Sequence, residues 1–474
     1  MVQRGFDLDG DGRAEYREVI GAAGRVQRLE FDTDGDGEID EIVPRGAALP
    51  AAAFEPWEPA EDGALRRPAA DPSARHLLIV LDSTPFEMVR DLWNQGRLRL
   101  FGPPSRIISP FPVMTDPCLA EFFGVSPCLA VESKYYDGRQ LQAGMHNYLK
   151  ERNAPWLAAI DYHLSPDTHG WAYLFPGMWF RHDLGRIERH VLARGEGGFS
   201  AYVVGTSGLG AQRGRDGHLA ALLEVERLCQ GLMYRTRGRL EITLMSDHGH
   251  NLVPSRRISL LEQLQRCGYR ARERLETLQD VVVPEFGLVS CAAIYTRSPA
   301  AVARDVVGLE GVELACYAEQ AAIPAESTAG RRPVRVIVLS RGGRACIERE
   351  GGAFRYVSQF GDPLRLAAIL EELREQGRLD GRGFASDFDW FEATAGHEYP
   401  DALFRLWRAF DGLFLHTPDV LVSLADGYYA GSKRMADFIA MKAVHGNLNH
   451  RGSSGFIMTT AGELPPVLRM GQAR

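Results

Sequence analysis

The chain has 474 residues, enough for one large domain with additions or for two to three ordinary ones. Its 45% hydrophobic and 24% charged residues read as a globular protein rather than a disordered or fibrous one. The net charge is −8, nothing in the sequence resembles a basic face for nucleic acid, and no apolar run is long enough to cross a bilayer as a helix.

The chain opens on an internal repeat. Phe6-Asp7-Leu8-Asp9-Gly10-Asp11-Gly12 returns as Phe31-Asp32-Thr33-Asp34-Gly35-Asp36-Gly37, a shift of 25 residues. The first copy fits a calcium loop, with Asp7, Asp9 and Asp11 at positions one, three and five, Gly12 at the turn, and Glu18 at position twelve. The second offers Asp32, Asp34, Asp36 and Asp40 but ends in Val43. Arg25–Phe31 alternates with a period near two, so the reading is loops joining short strands rather than a helix–loop–helix sensor. Residues 1–45 therefore resemble the aspartate-rich calcium repeats of extracellular proteins, and Ca2+ is the expected ion. Without a cation, carboxylates packed this densely repel one another.

Residues 46–75, rich in Ala and Pro, read as a linker. The main domain is expected over 76–474. His76–Leu81 predicts a buried strand, Pro85–Gln95 a helix, Phe199–Thr206 a strand, His218–Tyr234 a long helix, Leu240–Met245 a strand and Ile258–Cys267 a helix. Strands alternating with helices imply an α/β fold, a doubly wound, mostly parallel sheet with helices on both faces. Between about 281 and 357 the text turns to strands such as Val334–Leu339 and Arg344–Arg349, an antiparallel insertion. Helices follow at Pro363–Gln376 and Asp401–Phe410, and Asp419–Leu424 predicts a last buried strand.

Three places carry chemistry. Leu81-Asp82-Ser83 closes the first strand of the main domain, and Ser246-Asp247-His248-Gly249 closes a later one. In an open α/β sheet the carboxyl ends of the strands form the ligand crevice. Carboxylate oxygens with an imidazole nitrogen suit zinc or a similar divalent ion. Between them in the chain lies Phe111-Pro112-Val113-Met114-Thr115-Asp116-Pro117, with Asp116 as an expected N-cap and Pro117 at the first helical position. Thr115 is then placed beside exposed helix N–H groups, where an anion is favoured. A hydroxyl becomes a nucleophile only when a metal or base lowers its pKa.

In this order the segments LDS, FPxxT, SDHG and a late HG resemble the alkaline phosphatase superfamily, in particular its type I phosphodiesterase and nucleotide pyrophosphatase branch. The resemblance spans roughly 76–460. It implies Asp82, Thr115, Asp247 and His248 around one zinc ion, with Thr115 taking the phosphoryl group covalently. It also implies a second metal held by an aspartate, a histidine four residues later, and the HG histidine. Here His445-Gly446 matches the late motif, but Ser207 stands where that aspartate is expected and Ala211 where the histidine is. One zinc site is thus intact and the other reduced to His445.

The expected function is metal-dependent hydrolysis of phosphate esters, diesters foremost, through a threonine nucleophile and a phosphoryl-enzyme intermediate. The alternatives are a degenerate member that binds a ligand without turnover, or a phosphoryl or phospho-alcohol transferase using the same residues. The expected partner is a small-molecule phosphate ester. The seven dispersed cysteines read mainly as buried thiols, one or two disulfides being open. Met1-Val2-Gln3-Arg4 runs straight into the aspartate cluster with no visible signal peptide, whereas the calcium reading favours a periplasmic or secreted location.

Overall fold

A computed structural model describes residues 2–22, 24–45, 75–149, 154–194, 197–320 and 333–473. The expected linker lies outside these residues except for Arg75. The chain divides into two compact units, one of residues 1–107, 158–247 and 455–474, the other of 108–157 and 248–454.

The first unit begins with four antiparallel strands in sequential order, β1 (Val2–Phe6), β2 (Tyr16–Ile20), β3 (Val26–Phe31) and β4 (Glu41–Pro44). One aspartate loop joins β1 to β2 and the other joins β3 to β4. Tyr16 stacks between Phe6 and Phe31, at 5.3 and 5.5 Å, and Phe31 meets Tyr234 of the helix Arg215–Arg235 at 6.4 Å. The guanidinium of Arg45 donates to the Gly238 carbonyl at 2.8 Å. The small sheet is therefore packed onto the body of this unit.

That body is a six-stranded sheet. Its strand β5 (Arg75–Leu81), next to the edge, is flanked in parallel by the edge strand Gly198–Val203 and by Leu240–Met245. All three end in buried apolar residues, the mark of strands covered on both faces. Ser454–Thr459 pairs antiparallel with Leu240–Met245, so the sheet is mixed, with this pairing beside the two parallel pairings of β5. The seven cysteines are all free, six of them buried and Cys267 exposed.

The second unit is built on a nine-stranded sheet. Its long members Val312–Gln320, Pro333–Ser340, Gly343–Glu350 and Ala353–Phe360 run antiparallel in sequence order, and Val420–Leu424 inserts between Val312–Gln320 and Cys291–Thr296. Trp390, Tyr399, Leu406 and Phe354 lie in the core against it. Arg405 is buried in the same unit, donating to the carbonyls of Pro400 and Leu448 and to the hydroxyl of Ser453. Burial lowers its pKa to about 10.

Candidate metal centre

Parallel neighbours lie about 4.8 Å apart, so strands that end together bring the residues just beyond them together. Asp82 follows β5, and Asp247 follows Leu240–Met245 after one residue. Both are buried, with Asp82 2% exposed and Asp247 fully covered. His248 is attached to Asp247 by the peptide bond itself. One ligand atom from each of Asp82, Asp247 and His248 lies within 4.8 Å of the other two.

Ser83 holds the two carboxylates. Its φ of 59° is left-handed, an uncommon setting for a residue with a Cβ. In that conformation its N–H donates to Asp247 Oδ1 at 3.1 Å and its hydroxyl to Asp82 Oδ1 at 2.7 Å. The other oxygen of Asp82 accepts from the Tyr202 hydroxyl at 2.6 Å. Burial and the neighbouring carboxylates hold the Tyr202 phenol well above its usual range, so it remains a donor.

His248 and His445 are oriented alike. Nδ1 of His248 lies 3.3 Å from the Gly249 carbonyl, and Nδ1 of His445 lies 2.8 Å from the Val113 carbonyl. A carbonyl only accepts, so both rings carry their proton on Nδ1 and leave Nε2 as the lone-pair nitrogen. Burial pushes the His248 imidazole down to about 3, partly offset by the Gly249 bond. The two rings stack at 4.1 Å, and His250 tilts against His445 at 5.7 Å.

The HG motif has a steric reason. Gly446 has φ 125°, and a Cβ there would stand 2.9 Å from the Ser290 nitrogen. Backbone bonds from Ser290 N to the His445 carbonyl and from Val113 N to the Gly446 carbonyl fasten the loop on both sides.

Thr115 opens the helix Thr115–Phe123 as its first residue, after an extended Met114. Its Oγ1 lies 3.4 Å from Nε2 of His248. The expected N-cap is thereby corrected. Asp116 sits inside the first turn, where its carboxylate accepts from the Trp156 indole at 3.0 Å instead of closing the helix end.

The donor set fits a divalent cation: two buried carboxylates and a neutral imidazole presenting its lone pair, close enough for one ion to touch all three. Ser207 and Ala211 offer no such ligands. Both lie in the helix Gly205–Arg213, Ala211 as a buried methyl and Ser207 with its hydroxyl bonded to Ser83 Oγ and to the Tyr173 hydroxyl.

No family model and no curated protein matches the chain. Among solved structures it is similar to murine ectonucleotide pyrophosphatase/phosphodiesterase 5, at 11% identity and a TM-score of 0.41 over 83% of this chain and 91% of that one. It is likewise similar to phosphonoacetate hydrolase from Sinorhizobium meliloti 1021 in complex with phosphonoacetate, at 11% identity and a TM-score of 0.40 over 86% and 96%. Likeness this distant leaves the chemistry to the side chains themselves.

The N-terminal loops draw together a different set from the one expected. Asp7, Asp9 and Asp11 cluster with Glu15, and Asp32, Asp34 and Asp36 form the second group. Asp40 is not among them, and neither is Glu18. Glu18 is buried on β2, where Tyr16 donates to it, and burial raises its pKa to about 7. The repeat shift of 25 residues pairs Glu15 with Asp40, and the two do the same work. Glu15 accepts from the Leu8 N–H at 2.6 Å, and Asp40 accepts from the Thr33 N–H at the same distance. That equivalence is present in the sequence as the same 25-residue shift, which a twelve-residue loop ending at Glu18 does not follow.

His450, close to His445 in the chain, begins a short helix, with its N–H on the Glu398 carbonyl. Asp161 is committed to Ser200 and Arg194, and His163 and His169 both bond the Leu164 carbonyl. The hydroxyls of Ser83, Tyr202 and Tyr173 were not foreseen.

Proposed function

We propose that the chain is a metal-dependent hydrolase of phosphate esters, diesters foremost, with Thr115 as nucleophile. The observation that carries this reading is the Thr115 hydroxyl 3.4 Å from a lone-pair nitrogen of His248, itself grouped with Asp82 and Asp247. Asp82, Asp247 and His248 would hold the cation, zinc by its mixed oxygen and nitrogen donors. When bound, it supplies positive charge beside the nucleophile and a phosphoryl oxygen.

The chain's own residues do the rest. Oγ1 of Thr115 bonds to phosphorus and its proton passes through solvent to the ester oxygen, which leaves with the electron pair of the broken P–O bond. A water oxygen then bonds to the phosphorus, the P–Oγ1 bond breaks with its electron pair on Oγ1, a proton from that water restores the hydroxyl, and the phosphate product departs. The positive end of the helix Thr115–Phe123, which Thr115 opens, would favour a phosphate oxygen. His445, stacked on His248, is a further imidazole whose lone pair would serve the cation.

The test is hydrolysis of bis(4-nitrophenyl) phosphate by the full chain, with zinc content measured alongside. Thr115→Ala should keep its zinc and lose turnover by about 10³-fold or more. Turnover equal to the parent would rule out the covalent route.

Ser207 and Ala211 favour a second reading, a protein that binds a phosphate ester without turning it over. Stoichiometric zinc with no hydrolysis of monoesters, diesters, sulfates or phosphonates would select it. The aspartate loops, with Glu15 and Asp40 as matching members, are proposed to take Ca2+, and on that reading the chain works outside the cytoplasm. No helix among the described residues is long and apolar enough to cross a membrane.

A further inference from the structure

We propose that Ser83 is the positioning residue of the Asp82–Asp247 carboxylate pair, and that a one-way chain of hydroxyls behind it sets how tightly the pair holds a cation. The inference rests on the cation reading above and concerns residues which that reading does not use.

The direction of the chain follows from counting protons. Asp82 as a carboxylate can only accept, so Ser83 spends its hydroxyl hydrogen on Oδ1 at 2.7 Å. The Ser83 oxygen is left with lone pairs, so the contact with Ser207 Oγ at 3.0 Å must be donated by Ser207. Ser207 has then used its own hydrogen and must accept from the Tyr173 hydroxyl at 2.8 Å. The order Tyr173 to Ser207 to Ser83 to Asp82 has no alternative while the carboxylate is ionised. Bonds aligned in one direction polarise one another, which strengthens the last of them.

The chain acts on both carboxylates through one residue. The left-handed backbone of Ser83 is what lets its amide reach Asp247 while its hydroxyl reaches Asp82. Strain of this kind persists only where the surroundings hold it, and here both arms end on proposed ligands. Tyr202 closes the other oxygen of Asp82, and Thr206 Oγ1 donates to the Asp82 carbonyl at 2.8 Å. With one hydroxyl on each oxygen, the Asp82 carboxylate is fixed in rotation. Ser83 and Ser207 are buried to within 1%, so water has no ready access to replace them.

The experiment titrates the full chain with zinc alone against a chromogenic chelator, taking Asp82→Ala as the background for zinc held elsewhere. Ser83→Gly is the decisive variant, because glycine accepts φ 59° and keeps the amide bond to Asp247 while deleting the hydroxyl. It should melt at or above the parent's temperature, yet bind zinc about 10- to 100-fold more weakly, the usual cost of losing an outer partner of a ligand. Tyr202→Phe should fall in the same range, and Ser207→Ala should show a smaller loss in the same direction. A purely structural role would lower the melting temperature and leave affinity alone. Parent-like zinc affinity in Ser83→Gly and Tyr202→Phe overturns the inference while sparing the hydrolase reading. A parent chain that takes up no zinc above the Asp82→Ala background overturns both.

Discussion

At the scale of single residues, the late histidine depends on the glycine after it. A side chain at 446 meets the Ser290 nitrogen at 2.9 Å and the Cys291 nitrogen at 3.1 Å, and φ 125° is closed to L residues. Gly446→Ala should therefore cost about 1–3 kcal/mol in urea unfolding and shift His445 off His248. Diester turnover should drop by more than the stability loss explains. Parent-like turnover and unfolding together would show that the loop tolerates the change and that its geometry is incidental. Asp82, Thr115, Asp247 and His248 were readable because each ends a recognisable run or opens a helix. The residues that orient them were not. Tyr202 stands in Phe199–Thr206 as an ordinary strand-forming aromatic, and only folding brings it to Asp82, 120 residues away in the chain.

At the scale of elements, the N-terminal sheet shows how a motif can mislead in detail while the repeat beneath it is sound. Asp7 and Asp32 each cap two loop amides, Gly10 and Gly12 in one copy and Gly35 and Gly37 in the other, so the loops are built alike bond for bond. Glu18 follows the strand instead, and alternation carries it inward. Its folded pKa of about 7 stands above the ordinary 4.5, with burial the leading cause and the Tyr16 bond opposing it. The folded state thus keeps a proton that the unfolded chain releases. Stability on this account is greatest below pH 4.5, falls as pH rises toward 7, and is level beyond. The difference is about 3 kcal/mol at most. Glu18→Gln should match the parent near pH 4.5 and exceed it by about 1–3 kcal/mol at pH 8 in urea unfolding. A gap independent of pH would mean that Glu18 is not held protonated. The helices Pro166–Leu174 and Pro176–Ala193 escaped the sequence reading because their polar, histidine-rich text resembles a loop. The prolines at their first positions were the available signal.

At the scale of the whole molecule, the chain crosses between its two units four times, at 107/108, 157/158, 247/248 and 454/455. Local periodicity cannot register such returns, which is why the strand Ser454–Thr459 was missed. Ser454–Thr459 supplies the antiparallel partner of Leu240–Met245, the strand that ends at the Asp247 ligand. Ser246 donates its N–H to the Phe456 carbonyl at 2.8 Å and accepts the Phe456 N–H on its hydroxyl at 3.0 Å. Two further bonds join Thr460 and Ile242. Removing residues 455–474 would strip these partners from the strand and delete the buried side chains of Phe456, Ile457 and Met458. Each buried apolar side chain contributes about 1.5–3 kcal/mol, so the loss approaches the whole stability of an ordinary domain. Removing residues 1–45 instead uncovers part of the helix Arg215–Arg235 around Tyr234 but leaves every pairing of the six-stranded sheet in place. The N-terminally shortened chain should unfold cooperatively and take up zinc like the parent, whereas the C-terminally shortened chain should do neither. The comparison is made by circular-dichroism melts and zinc titration of both. Zinc uptake by the C-terminally shortened chain would show that the Asp247 strand end is organised without its antiparallel neighbour, and the sheet would no longer account for the placement of the ligands.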